Sequence, residues 1–352
     1  MSAATAPVEI SGLAISGPAA LALRRAGRVA VVQPLPGIGD MIWHLPHLRA
    51  LAGAAGQPVT LIAKRRSQAG GLLEAEPSVA RILWLPDSPR GAGGLWARLS
   101  GVRRLSAEIR AGGFGAAVLL HHSPTWAAVL ALAGVPCRMG YGYGASRRFL
   151  NTKPFLPEAA WHRHPYEQAS DWLTAAGIPM ADAEPVLPVP HAAAEAVRAR
   201  VAGRVAAIGI GSSEPYKQWG AARFAALIAP LQAQGWRCVL VGGPAEAGLA
   251  AEIAGLCPIP PDAAIGWPMG ELAALLQQAA FYAGNDTGAA NIAAAAGTSA
   301  YTLFGATEPL RHSTRIIALV PPGGMAKADG MARITPEQVL ARIAADSASF
   351  PA

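Results

Sequence analysis

The sequence predicts an α/β protein of two domains, each built on a parallel sheet covered by helices on both faces. Three observations carry this. Short apolar runs alternate with helical patterns, which suits strands buried on both sides. The alternation stops in a proline-rich stretch and restarts after Pro185. The chain has 352 residues, of which 52% are hydrophobic and 14% charged, enough for two cores and too apolar for a disordered chain.

The elements follow in order. Arg28-Val-Ala-Val-Val-Gln33 reads as a strand, Pro34 to Gly39 as a tight glycine turn, and Met41 to about Ala54 as a helix. Val59–Ala63, Ala80–Leu85 and Ala116–Leu120 are the next apolar runs, the first followed by Lys64-Arg65-Arg66. Pro179, Pro185, Pro188 and Pro190 mark the seam, because proline interrupts regular structure. Beyond it, Val205–Ile210 ends in Gly211-Ser212-Ser213, and a helix is predicted over 223–234. Arg237–Val241 ends in Gly242-Gly243-Pro244, Ala280–Gly284 in Asn285-Asp286-Thr287-Gly288, and Ala300–Phe304 closes the series before a helix over 336–345. These are two Rossmann-like domains, whose ligands sit at the carboxyl ends of the strands.

Charge is uneven. Residues 1–180 hold 18 basic and 9 acidic side chains (+9), and residues 181–352 hold 11 and 13 (−2). The first half therefore suits an anionic partner. Nucleic acid is disfavoured: there is no recognised binding motif, and aromatic residues are 6% of the chain. Cys137, Cys238 and Cys257 form no C-x-x-C pair, so neither a zinc ribbon nor a disulfide framework is indicated. No apolar run is long enough to span a bilayer, and no signal-peptide pattern opens the chain. A P-loop, H-E-x-x-H and G-x-S-x-G are missing, and so is any Asp-x-Asp pair to hold a divalent cation.

Three loops remain as candidates for chemistry. Gly37-Ile-Gly39-Asp40 puts a carboxylate at a helix start beside flexible glycines, a place that suits helix capping as well as catalysis. Ser212, Ser213 and Lys217 offer hydroxyls and a charge for an anion, although an ordinary polar loop with a solvated lysine reads the same way. Asp286, Thr287 and Gly288 open an Ala-rich helix, where a phosphate or a simple cap fits.

These loops, taken with Leu240–Glu246, Met269–Leu275 and Phe304–Pro309, resemble the heptosyltransferase family, glycosyltransferase family nine, of lipopolysaccharide core assembly. The resemblance implies the GT-B fold, with two parallel sheets facing across a cleft. Residues 1–184 would bind the acceptor and 185–352 the nucleotide sugar, with the last helix packing back on the N-terminal domain. It implies inverting, metal-independent transfer of a heptose or related sugar from an ADP-sugar, a co-substrate rather than a cofactor, to an anionic inner-core glycolipid. Asp40 would be the general base and Lys217 the diphosphate partner. Gly39, Ser212, Ser213, Glu246, Met269, Asp286, Thr287, Gly288 and Asn291 would line the donor. Lys64, Arg65, Arg66 and Arg147, with Arg103, Arg104 and Arg148 near them in charge, would meet the acceptor's acidic groups. A cytoplasmic enzyme peripheral to the inner membrane is implied. The family's turn continues to a histidine where Asn291 stands, and asparagine cannot carry charge. Hydroxyl residues common just before the first loop's glycine and aspartate are replaced by Pro36 and Gly37. A catalytically impaired sugar-nucleotide-binding protein of the same fold is the alternative. His121, His122, His162 and His164 receive no role.

Overall fold

The computed structural model describes residues 17–86, 94–309 and 312–346. Residues 1–16, on which the signal-peptide expectation bears, lie outside them. The chain divides into two compact units, Met1–Ala183 and Glu184–Ala352. Hydrogen bonds on either side agree with the division. The Tyr166 hydroxyl donates to the Ala183 carbonyl within the first unit. The Glu184 carboxylate accepts from Thr314 N–H at 3.0 Å within the second.

The first unit contains strands β1 (Val29–Gln33), β2 (Val59–Ala63), β3 (Val79–Trp84), β4 (Ala116–Leu119) and β5 (Cys137–Gly140). Its helices are α1 (Pro18–Arg25), α2 (Ile38–Trp43), α3 (Leu45–Ala55), α4 (Ala69–Leu72), α5 (Gly94–Gly112), α6 (Pro124–Leu132) and α7 (Pro165–Ala175). The strands pair in parallel in the order β3-β2-β1-β4-β5. Ala30, Val32, Ala117 and Leu119 pack on Leu105 and Ile109 of α5 and Leu130 of α6. Short apolar strands buried throughout, as β1 and β2 are, need helices over both faces. Gly56 ends α3 in the left-handed region (φ 71°), a conformation that disfavours a side chain.

The second unit contains strands β6 (Val205–Gly209), β7 (Arg237–Gly242), β8 (Asp262–Ile265), β9 (Phe281–Asn285), β10 (Ser299–Leu303) and β11 (Ile316–Leu319). Its helices are α8 (His191–Arg200), α9 (Ala221–Ala233), α10 (Ala247–Leu256), α11 (Met269–Gln278), α12 (Gly288–Ala295), α13 (Gly330–Arg333) and α14 (Pro336–Asp346). The order is β11-β10-β9-β6-β7-β8, again parallel. Ile208, Leu240, Phe281 and Tyr301 form the core with Phe224 and Leu227 of α9. The final helix contributes to the second unit's own core. Val339 and Ile343 of α14 join the second unit's core, and α14 lies against α9.

Each sheet reverses direction once. In the first, the chain winds outward from β1 through β2 and β3, then returns to β4 beside β1. In the second it winds from β6 through β7 and β8, then returns to β9 beside β6. At such switch points adjacent loops part and leave a crevice at the carboxyl ends of the strands. The β1 and β4 loops flank the first crevice, and the β6 and β9 loops the second.

Candidate active site

In the first unit, the turn after β1 leads to Gly37, the N-cap of α2, with Asp40 in the first turn. Gly37 N–H donates to Asp40 Oδ2 at 3.0 Å, so one carboxylate oxygen closes that turn. Gly37, not Asp40, is therefore the N-cap; one Asp40 oxygen bonds back to it and the second is left available. The helical run breaks at His44, where Pro46 follows in the first turn of α3. The Asp40 carbonyl is held by the His44 side chain instead, Nδ1 lying 2.6 Å from it. Gln33, fully buried, also donates to that carbonyl, at 3.4 Å. Burial lowers the His44 pKa to about 4, so its ring is neutral and donates through Nδ1–H. The Asp40 carboxyl is raised above its usual range by burial, against the opposing pull of the Gly37 N–H and of His164. Gln33 and His44 carried no sequence signal, because a side chain gripping a freed carbonyl depends on the helix break.

The basic candidates divide. Lys64 follows β2 and interacts electrostatically with His121, which follows β4. Arg65 turns aside, its guanidinium 5.2 Å from the Trp84 ring, and Arg66 is exposed. Arg147 lies 5.0 Å from the Phe155 ring. It lines a hollow of about 500 Å³ with Lys153, Pro154 and Ala175. Ala175 ends α7, whose first turn follows His164. Eleven residues of helix put that hollow's α7 wall about 16 Å from His164. Arg65 and Arg147 thus each pack on an aromatic ring.

In the second unit the β6 and β9 loops meet. Gly209 and Gly284 are register partners. A Cβ on Gly284 would collide with the Gly209 backbone, and one on Gly209 would enter the Tyr282 ring. Lys217 Nζ lies 2.8 Å from Asp286 Oδ2, with the side chains only 17% and 15% exposed. The lysine is therefore paired rather than solvated. Two of its three ammonium donors remain for a ligand. Thr307 donates to the same carboxylate oxygen at 3.3 Å. Asn285, fully buried, ties the loops together: its amide lies 3.2 Å from the Ile210 carbonyl, 3.0 Å from that of Gly211 and 3.1 Å from Gln218 Oε1. Thr307, Asn285 and Gln218 were not singled out in the sequence, although each stands within or next to a motif that was. Replacing Asn285 by leucine removes the donor to the Gly211 carbonyl and one of two donors each to the Ile210 carbonyl and Gln218 Oε1. Urea denaturation is expected to show a loss of about 2–4 kcal/mol for the second unit. A change below about 0.5 kcal/mol would show that the amide is dispensable.

The other donor candidates take varied places. The Ser212 hydroxyl donates to the Glu214 carbonyl at 2.6 Å, within its own loop, whereas Ser213 is exposed. The capping reading of Thr287 fails: it begins α12 without a side-chain capping bond. Asn291 is buried one turn on and donates to the Thr287 carbonyl at 2.9 Å. Glu246 follows β7 and lies against Gly242 and Gly243, and Met269 opens α11 after β8. Beside Met269, Arg200 stacks 4.0 Å from the Trp267 ring and pairs with Glu271 at 2.8 Å. Among the described residues, no group of three or more His, Cys, Asp or Glu is placed to hold a metal ion. None of the described helices is long and apolar enough to cross a membrane.

Two parallel-sheet units, each with its candidate loops at a switch point, define the GT-B class of fold. The chain belongs to glycosyltransferase family 9 (heptosyltransferase), whose family model matches residues 102–318. It is 41% identical over 97 residues to lipopolysaccharide heptosyltransferase 3 of Escherichia coli, a match covering 26% of this chain and 28% of that protein. A family 9 glycosyl transferase of Veillonella parvula superposes with a TM-score of 0.78 at 20% identity, over 93% of this chain and 99% of the other. The E. coli heptosyltransferase WaaC with ADP-2-deoxy-2-fluoro heptose superposes with a TM-score of 0.71 at 19% identity, over 91% and 99%. At these identities the structural likeness speaks for the fold.

Proposed function

We propose that the protein transfers a heptose, or a closely related sugar, from an ADP-sugar to an anionic inner-core lipopolysaccharide acceptor, inverting the anomeric carbon. The observation that carries this is the pairing of Lys217 with Asp286 at the second sheet's switch point, together with Asp40 at the first. Asp40 accepts the proton of an acceptor hydroxyl. The oxygen's electron pair forms the new bond to the anomeric carbon, and the bond to the diphosphate breaks, its pair leaving on ADP. A base poised in this way contributes about 10²–10⁴-fold. Negative charge grows on the leaving group, where Lys217 and the N–H groups opening α12 stabilise it in place of a metal. The fluorinated ADP-sugar on WaaC supports an ADP donor, and the lipopolysaccharide relative supports the acceptor class. The +9 charge of residues 1–180 supports an acidic acceptor and peripheral contact with an anionic membrane face.

Incubation with ADP-heptose and a heptose-deficient core acceptor is expected to release ADP, equally with and without EDTA. Release that needs a divalent cation would remove the metal-independent step. ADP binding without any release would favour the binding-protein reading, to which the uncharged, buried Asn291 points.

A further inference from the structure

The first unit's switch point has a second wall that the transfer chemistry has not yet used. The loop after β4 carries His121 and His122, whose rings stack at 4.2 Å between centroids and 23° between planes. His122 meets the Trp161 ring at 4.9 Å and 32°, and Trp161 meets Tyr143 at 5.2 Å. Four rings from three segments, the loops after β4 and β5 and the turn at 158–162, thus form one continuous ribbon. Trp161 sits at 36% exposure, an unusual place for the largest apolar side chain. It is held there rather than loose: Gln168, buried, donates to the Trp161 carbonyl at 3.1 Å and to the Arg163 carbonyl at 2.7 Å. At the other end of the ribbon, Ser123 N–H donates to His121 Nδ1 at 3.0 Å. That bond fixes the neutral ring with its proton on Nε2, which leaves Nε2–H as a donor.

The loop that carries His121 and His122 leaves the sheet beside the loop that leads to Asp40, since β4 pairs directly with β1. His121 lies within electrostatic reach of both Lys64 and His44, and His44 grips the Asp40 carbonyl. Any acceptor hydroxyl that Asp40 deprotonates must come within about 2.6–3.2 Å of its carboxylate. The ring that bears this hydroxyl then rests against the crevice wall. A sugar presents an apolar C–H face and a polar rim. An exposed aromatic face suits the first, while the His121 Nε2–H and the Lys64 ammonium suit the second.

We propose that His121, His122 and Trp161 form a ring-stacking platform that seats a pyranose ring of the acidic acceptor beside Asp40. This rests on the transfer reading, because it assumes that Asp40 meets a sugar hydroxyl. Trp161 acts in binding and does not touch the transferred proton.

Equilibrium titration of a heptose-deficient core oligosaccharide tests it. Trp161→Ala is expected to weaken binding at least tenfold, Trp161→Phe to stay within threefold of wild type, and His122→Ala to fall between. ADP affinity should be unchanged in all three, which also reports that the variants are folded. In turnover, the acceptor KM rises and kcat holds. Equal oligosaccharide binding by wild type and Trp161→Ala overturns the platform, as does a wild type that binds no oligosaccharide. A loss of ADP affinity in place of oligosaccharide affinity overturns it too, by assigning the rings to the nucleoside. The transfer reading fails separately. If the oligosaccharide binds through Trp161 while ADP-heptose yields no ADP, the platform stands and the transfer does not.

Discussion

Asp40→Asn is expected to lower kcat by about 10²–10⁴-fold while leaving ADP affinity intact. The amide keeps the size of the carboxylate, and its oxygen can still accept the Gly37 N–H that closes the first turn of α2. It cannot take a proton from a hydroxyl. The sign of the accompanying stability change is a second check. Burial raises the Asp40 carboxyl above its ordinary value of 3.8. The folded state therefore binds this proton more tightly than the unfolded state. Stability contributed by the group is present below the unfolded value and is lost as pH rises through the raised folded value. At neutral pH the ionised carboxylate is a cost to folding, so the uncharged amide should leave Tm equal or higher. For wild type, the acidic limb of the kcat profile should lie above the pKa of a free aspartate. Turnover by Asp40→Asn within threefold of wild type would remove Asp40 as the base. A Tm several degrees lower would show that its charge is stabilising, contrary to the burial argument.

Lys217→Ala should weaken ADP binding by about tenfold to a hundredfold, the worth of a charge-assisted hydrogen bond of about 1.5–3 kcal/mol. It should also cut kcat by about 10²–10³-fold, since the missing donor faces charge that grows only as the diphosphate leaves. The pairing with Asp286 adds a discriminating prediction. Once the ammonium is gone, the Asp286 carboxylate is left with only the Thr307 hydroxyl among these partners, and its charge repels the diphosphate. The double variant Lys217→Ala, Asp286→Asn should therefore bind ADP more tightly than Lys217→Ala alone, a non-additivity expected for neighbours. Calorimetric titration with ADP decides it. Additive losses would mean that Asp286 holds the donor by itself rather than by aiming the lysine.

Most of the candidate site was legible, because it sits in loops that end apolar runs. Asp40, Lys217 and Asp286 each follow such a run, and glycines flank two of the three. The strands that escaped notice are β5, β8 and β11. All three lie at sheet edges and carry polar or half-exposed residues, such as Arg138 and Asp262, so no long apolar run announces them. His121 and His122 were visible as residues and not as a platform. Their partner Trp161 is about forty positions away, on a short turn whose place is set by Gln168.

The sequence by itself determined the two-part α/β plan, the family, and the identity of the loops that carry charge, since apolar periodicity and short motifs are local properties. Tertiary structure decided which loops are neighbours. Pairing β1 with β4, and β6 with β9, joins segments some 80 residues apart, and no local pattern encodes which parallel strands adjoin. It also decided direction. Arg65 and Arg147 turn to aromatic rings, where a guanidinium gains stacking, whereas Lys217 turns to a carboxylate. A side chain's chemistry is written in its residue type; its partner is fixed only when the chain has packed.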